Sequence, residues 1–157
     1  MPILNFRMEA RNASGDIVAT PETLIEVGPS IPVVITVAEE VQQAYSDRGE
    51  TPPEPVNGFA LIDTGASVTC FDVDAAQKAR LPQISVSKMT SATHSNQTVP
   101  TFAGTVVCPT FNINVEEGMG ANLSAQGNNL VALIGRDLLQ SAVLIYNGPD
   151  GHFSLSL

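Results

Sequence analysis

The sequence predicts a mainly β fold, a closed and partly barrel-like sheet with one or two short helices. Turn-forming residues recur about every ten residues, the spacing of short strands in β domains. β-branched residues fill the runs between these turns, and long helical periodicity is scarce. A chain of 157 residues, 43% of them hydrophobic, is long enough to bury its own core, so we expect residues 1–157 to form one domain.

The first third of the chain should contain three strands, at Ile3–Phe6, Ile17–Thr20 and Ile31–Val37. The last of these is the most pronounced, because most of its residues are β-branched and flanking prolines keep its entry extended. Residues 38–45 are compatible with a short helix or with a continuation of the strand. Residues 46–57 are rich in Pro, Gly and charge, which is typical of a solvated loop between two strands.

Six further strands are expected, at Phe59–Ile62, Ser67–Phe71, Ile84–Lys88, Val99–Val107, Phe111–Val115 and Leu130–Ile134. Asp72 is placed to cap a helix over Val73–Arg80, and a second helix is expected over Arg136–Leu139. The Gly-, Asn- and Ser-rich stretch 116–129 is predicted to be a loop.

The end of the chain is predicted to be a hairpin. Its arms are Ala142–Tyr146 and His152–Leu157, and Asn147-Gly148-Pro149-Asp150-Gly151 between them is typical of a turn.

Composition limits the possible partners. The formal net charge is −9, from 7 Lys and Arg against 16 Asp and Glu, which argues against nucleic acid or an anionic membrane as a partner. No apolar run is long enough to span a bilayer, and no secretory leader is recognisable. Cys70 and Cys108 have no metal-ligand spacing, so we expect two buried, reduced thiols in a cytoplasmic protein.

The first candidate motif is Asp63-Thr64-Gly65-Ala66-Ser67, which directly follows the apolar strand Phe59–Ile62. A carboxylate in such a place costs free energy unless it is hydrogen-bonded or functional. Gly65 permits a tight turn that presents its N–H to the carboxylate, and Ala66 keeps the space in front of it small. Asp-Thr-Gly alone is a weak pattern, because many strand-to-turn junctions contain it.

The second motif, Leu133-Ile134-Gly135-Arg136-Asp137, strengthens the first. Two apolar residues and a glycine at the start of a short helix can pass beside the Asp63 loop with close backbone approach. The pair of motifs resembles the retropepsin-like aspartic peptidases, in which an apolar Asp-Thr-Gly-Ala turn precedes an apolar-apolar-Gly-Arg-Asp/Asn helix. The resemblance extends in element order over residues 31–146 and is carried by residues 59–71 and 131–139.

The resemblance implies a role for each matching residue. Asp63 is the catalytic aspartate, Thr64 braces the two active-site loops across a dimer, and Gly65 contacts bound peptide. The hairpin tip 91–97 corresponds to the flap that closes over substrate, and it should become ordered when peptide binds. The residues expected to contact substrate are Ala66, Ser67, Ser91, Ala92, Thr93, His94 and Ile134. Gly135, Arg136 and Asp137 are expected to support the site from behind.

The chain departs from the viral members of the family at two places. Viral enzymes usually carry an acid at the position of Ser67 that pairs with the helix arginine, so Arg136 needs another acceptor here, either Asp72 or a carbonyl group. The hairpin tip is polar and lacks the glycine-rich run of the viral flap. The chain therefore resembles cellular members of the family more than viral ones.

Two functions follow from the resemblance. In the first, two Asp63 carboxylates of a homodimer share one proton and activate a water that hydrolyses a peptide bond in a polypeptide substrate. The dimer is required because the chain contains a single Asp-Thr-Gly. In the second, the fold serves as a non-catalytic dimerisation or peptide-binding module. Neither function requires a metal or a cofactor.

Overall fold

Strands dominate the computed structural model, which describes residues 2–19, 21–90 and 96–157. The strands are β1 (Ile3–Arg7), β2 (Glu9–Arg11), β3 (Ile17–Ala19), β4 (Ser30–Thr36), β5 (Val56–Ile62), β6 (Cys70–Asp72), β7 (Gln83–Met89), β8 (Gln97–Val107), β9 (Asn112–Ala121), β10 (Leu130–Ile134), β11 (Val143–Asn147) and β12 (His152–Ser156). The helices are α1 (Pro21–Val27), α2 (Glu39–Asp47), α3 (Val73–Lys78) and α4 (Arg136–Leu139), with one 3-10 turn at Ser124–Gln126.

The main sheet closes into a ring. Its order is β4-β5-β10-β6-β9-β8-β7, and β4 also pairs with β8, so six strands form a closed circuit. β7 lies outside this circuit and pairs with β8 alone. The predicted mainly β, closed and barrel-like sheet is therefore confirmed.

The closed sheet surrounds an apolar core. Buried side chains from β4, β5, β6, β8, β9 and β10 meet inside it, and the largest that are wholly buried include Phe71, Ile31, Ile35 and Ile134. A separate three-stranded antiparallel sheet, β1-β12-β11, adds Phe153 and Leu155 to the same core. A short ribbon of β2 and β3 completes the strand pairing of the described residues.

Helices are more numerous than predicted. The sequence led us to expect one or two, and α3 and α4 match the two expected positions. Residues 38–45 prove to be largely helical within α2. α1 was missed because seven residues are too few for a clear periodic pattern, although Pro21 at its first position and the buried Leu24 are both typical of a helix.

The prediction of a loop over residues 116–129 is wrong in its first half, because β9 continues to Ala121. β9 is held between β8 and β6, and these pairings outweigh the low strand propensity of glycine. The glycines serve close packing here. A Cβ on Gly118 would lie 2.8 Å from the ring of Phe71, and one on Gly120 would lie 2.9 Å from Pro100.

Two boundaries around the first motif also differ from expectation. β5 begins at Val56, so the preceding loop is shorter than predicted, and β6 begins only at Cys70. Residues 63–69 are thus a loop between β5 and β6. The predicted cap of α3 is confirmed, since the Asp72 carboxylate accepts a hydrogen bond from the Ala75 N–H.

Candidate active site

Asp63 lies where β5 leaves the closed sheet. Its backbone N–H donates to the carbonyl of Ile134 at 3.0 Å, which continues the parallel pairing of β5 with β10 by one residue. The side chain is only partly buried in the protomer, so it is less desolvated than its position after an apolar strand led us to expect. The sheet therefore fixes the Asp63 backbone while water still reaches its carboxylate.

The Asp63 carboxylate is held by one of its two oxygens. Oδ1 accepts the backbone N–H of Gly65 at 2.7 Å, which is the geometry predicted for this turn. Oδ2 accepts no hydrogen bond within residues 2–19, 21–90 and 96–157. A Cβ on Gly65 would lie 3.0 Å from Oδ1, so a larger residue there would press on the carboxylate. One oxygen is thus anchored and the other is free for an external partner.

The predicted close approach of the second motif is also observed. A Cβ on Gly135 would lie 2.6 Å from the carbonyl carbon of Val68 and 2.7 Å from its oxygen. Two backbone hydrogen bonds follow, from the Arg136 N–H to the Ala66 carbonyl at 3.0 Å and from the Asp137 N–H to the Ser67 carbonyl at 3.3 Å. The absence of a side chain at Gly135 lets the start of α4 lie directly against the Asp63 loop.

Arg136 binds carbonyl groups rather than a carboxylate. Its Nη1 donates to the carbonyl of Thr64 at 2.7 Å and to that of Gly65 at 2.9 Å. Of the two acceptors considered for Arg136, the carbonyl is therefore correct and Asp72 is wrong. These bonds tie the guanidinium to the two residues that follow Asp63, without any acid at the position of Ser67.

Asp137 and Thr69 form a second connection behind the loop. The Asp137 carboxylate accepts the Thr69 N–H and the Thr69 hydroxyl, each at 2.9 Å. The Thr69 hydroxyl oxygen in turn accepts the N–H of Gly135 at 3.1 Å. Thr69 is wholly buried, and hydrogen bonds to an ionised partner are stronger than neutral ones. This network holds the end of the Asp63 loop against α4.

The Asp63 loop forms one wall of a cleft of about 1180 Å³. A second wall is the base of the β7–β8 hairpin, and further lining comes from the end of β9 and the turn after it. The lining residues are Asp63, Gly65, Ala66, Ser67, Val68, Cys70, Val73, Lys88, Met89, Thr90, Gln97, Thr98, Val99, Pro100, Met119, Gly120, Ala121, Asn122, Leu123 and Leu133. Ala66 and Ser67 thus lie on the surface of a cavity beside Asp63, and their expected contact with substrate stays a prediction.

Not every predicted site residue belongs to this cleft. Ile134 was expected to contact substrate, but its side chain is wholly buried in the core, so that expectation is wrong. Thr64 is exposed beside the cleft and contributes its carbonyl to Arg136. The hairpin-tip residues Ser91, Ala92, Thr93 and His94 lie outside the described residues, and the prediction of a flap there stays a prediction.

Asp72 has a second role that the sequence did not reveal. Its side chain is 3% exposed, and its Oδ1 accepts the N–H groups of Leu123 and Ser124, each at 2.9 Å. The same carboxylate thus caps α3 and fixes the turn after β9 that lines the cleft. A capping aspartate can be predicted from local sequence, but a partner far along the chain cannot.

Cys70 lies in the floor of the cleft as a protonated thiol. Burial, together with the negative charges of Asp137 and Asp63, raises the pKa of Cys70 to about 11 from its usual 9.0. Burial alone raises the pKa of Cys108, which lies elsewhere, to about 11. Both cysteines are free and buried, as the sequence predicted. A thiol of such high pKa is a poor nucleophile at neutral pH.

The described residues contain no group of three or more His, Cys, Asp or Glu side chains close enough together to hold a metal ion. None of the helices in that part of the chain is long and apolar enough to cross a membrane. The chemical groups that the described residues bring to the cleft are one carboxylate, the Lys88 ammonium, the Cys70 thiol, polar hydroxyls and amides, and apolar side chains.

Comparison with known proteins found a resemblance among solved structures. No family model matches the chain, and no curated protein matches it. Among solved structures, the chain is similar to the crystal structure of a retropepsin-like aspartic protease from Rickettsia conorii, with a TM-score of 0.43 and 15% sequence identity. The match covers 98% of this chain and 92% of that one.

Proposed function

We propose that the chain is one protomer of a homodimeric, retropepsin-like aspartic endopeptidase that cleaves polypeptides. The observation that carries this proposal is the state of Asp63 at the cleft. Its carboxylate has one oxygen fixed by Gly65 and one oxygen without a partner in the described residues. The cleft beside it holds about 1180 Å³, which is large enough for several residues of an extended peptide.

The composition of the cleft supports the need for a second copy. Asp63 is the only carboxylate among the residues that line it. A water activated between two carboxylates needs a second acid, and the sequence contains no second Asp-Thr-Gly. Two-fold pairing of identical chains would bring a second Asp63 to the first, because an isologous interface presents the same surface from both sides.

The chemistry of such a pair follows from electrostatics. Two carboxyl groups in contact share one proton, because ionising both would place like charges together. The ionised Asp63 removes a proton from water as the water oxygen attacks the peptide carbonyl carbon. The protonated Asp63 donates its proton to the carbonyl oxygen, which gives a neutral tetrahedral diol. Collapse of the diol breaks the C–N bond, with proton transfer to the leaving nitrogen and return of one proton to the pair.

The supports of the loop fit this mechanism. The catalytic oxygens must be held within a fraction of an ångström, and catalysis is sensitive to misplacement of about 1 Å. Arg136 holds the carbonyls of Thr64 and Gly65, and Asp137 holds Thr69 at the other end of the loop. In the dimer we assign Thr64 to bracing the two loops and the hairpin tip 91–97 to covering the peptide.

The direct test is cleavage of a diverse peptide library by the wild type and by Asp63→Asn. Asn retains an Oδ1 that can accept the Gly65 N–H, so the loop should keep its shape. It can neither take a proton from water nor supply an acidic one, so cleavage should be lost. Asp74→Asn is the matched control. Asp74 is exposed on α3 and does not line the cleft, so its substitution removes the same charge away from the site.

We expect cleavage by the wild type and by Asp74→Asn, greatest at acidic pH where the pair holds one proton. Equal cleavage by Asp63→Asn would exclude the aspartic mechanism. Binding of peptides without cleavage, by wild type shown to be dimeric at every pH tested, would favour the non-catalytic binding module instead.

A further inference from the structure

We propose that Lys88 makes the cleft selective for peptides that carry an acidic side chain. This inference names a substrate class for the proposed peptidase and rests on that function. It follows from the distribution of charge inside the cleft, which differs from that of the whole chain.

The charge inside the cleft is sparse and asymmetric. The chain has 16 acidic residues and a formal net charge of −9, yet Asp63 is the only acidic residue among the described residues that line the cleft. Lys88 is the only Lys or Arg among the same residues. All other lining residues are uncharged at neutral pH, including Cys70, whose thiol remains protonated. A peptide in the cleft therefore meets one fixed positive charge.

Lys88 has no partner among the residues that the structure describes. It is exposed near the end of β7, and the one salt bridge among the described residues joins Arg48 to Glu50. No side-chain hydrogen bond engages Lys88 in the same part of the chain. Arg136, by contrast, is committed to two carbonyl groups of the Asp63 loop. The Lys88 ammonium is thus available to a ligand.

The position of Lys88 indicates which part of a peptide it would meet. Lys88 pairs with Thr98 across the base of the β7–β8 hairpin, and both residues line the cleft. Asp63 lines the cleft from a different element, the loop after β5. An acidic side chain that meets Lys88 is therefore one that faces the hairpin. In a symmetric dimer, the two copies of Lys88 would offer one such position on each side of the cleaved bond.

The expected size of the effect is modest because Lys88 is exposed. Ion pairs at exposed sites are weak, but a cleft with apolar walls focuses the field of a charge. We expect a preference of about fivefold in kcat/KM for an acidic over a neutral side chain. The preference should appear as a lower KM with kcat unchanged, because the ion pair is the same in the bound ground state and in the transition state.

The test uses two fluorescent peptide pools that differ only in having Glu or Gln at fixed positions on both sides of a random centre. Wild type should cleave the Glu pool with the lower KM, and the difference should shrink at high salt. Lys88→Gln should abolish the preference, and Lys88→Glu should reverse it. Lys78→Gln is the matched control, because Lys78 is exposed on α3, carries the same charge and does not line the cleft.

Binding of the same pools to the Asp63→Asn protein separates this inference from the proposed function. If wild type cleaves neither pool but the Asp63→Asn protein binds the Glu pool more tightly in a Lys88-dependent way, the peptidase proposal fails and the role of Lys88 stands. Equal KM and equal affinity for both pools, or a preference that Lys88→Gln leaves intact, would overturn the inference.

Discussion

The two walls of the cleft are built differently. On one wall, the Asp63 loop is tied to α4 by backbone bonds, by Arg136 and by the bonds between the buried Thr69 and the half-buried Asp137. On the other wall, β7 pairs with a single neighbour, β8, and exposes Ile84 (49%) and Val86 (60%). Local stability rises with burial and with the number of protected hydrogen bonds. Asp63 thus lies on the well-supported wall, and the hairpin wall has support on one side only.

Gly135→Ala should break the well-supported wall most severely. The new Cβ would lie 2.6 Å from the Val68 carbonyl carbon, and neither backbone segment can move without losing its hydrogen bonds. We expect a loss of about 3 kcal/mol in the free energy of unfolding, measured by denaturant titration, and loss of peptide cleavage. In Gly148→Ala the nearest atom would be 3.5 Å away, so this control should change little. A Gly135→Ala protein as stable as the control would contradict the packing described here.

Thr69→Val should weaken the same wall through its hydrogen bonds. The substitution keeps the shape of the side chain but removes the hydroxyl that joins Asp137 to Gly135. The Asp137 carboxylate keeps the N–H groups of Thr69 and Leu138, but the buried Gly135 N–H is left without a partner, which should cost about 2 kcal/mol. Thr69→Ser keeps the hydroxyl and should retain cleavage, although it loses a buried methyl group. If Thr69→Val and Thr69→Ser have the same free energy of unfolding and the same cleavage activity, the Thr69 hydroxyl does not stabilise the wall.

Some features of the site could be predicted from the sequence and others could not. Gly135 in the second motif predicted a close backbone approach, and the capping residue Asp72 predicted α3, because both depend on local chemistry. The role of Thr69 depends on Asp137, 68 positions away along the chain, and only strand pairing brings them together.

The position of Lys88 illustrates the same limit, since nothing in the local sequence of β7 indicates that it faces a cleft containing Asp63. Ile134 was misassigned for a related reason. Its motif lies beside the Asp63 loop, but its place in the central strand β10 turns the side chain into the core. Charge and motif predict which residues are candidates for the site, but strand pairing in the sheet determines whether a side chain faces the cleft or the core.

Alkaline pH should weaken the fold through its buried thiols. The pKa values of Cys70 and Cys108 are raised to about 11, so the folded state retains protons that the unfolded chain releases near 9.0. The stabilisation is fully present below the unfolded pKa and is lost as pH rises through the folded one. The free energy of unfolding should therefore decrease as the pH rises from 9.0 to about 11. It should decrease less steeply in a Cys70→Ala, Cys108→Ala double variant. If the free energy of unfolding of the wild type and of the double variant decreased in parallel with pH, the thiols would not contribute to the alkaline loss of stability.

The smallest effect is expected on the hairpin wall. Val86 is 60% exposed, so Val86→Thr keeps the β-branched shape and removes almost no buried area. The free energy of unfolding should change by less than about 0.5 kcal/mol. A loss as large as that of Thr69→Val would mean that the two walls are equally well supported, and the comparison would fail.

The central claim, that each chain supplies half of a catalytic site, can be tested most directly by mixing subunits. Wild type and Asp63→Asn are unfolded together, refolded at varying ratios and assayed for peptide cleavage at constant total concentration. If a site needs two Asp63 carboxylates, activity should follow the square of the wild-type fraction, so an equal mixture retains about a quarter of the activity. Activity directly proportional to the wild-type fraction would show that one chain suffices, and it would contradict the account.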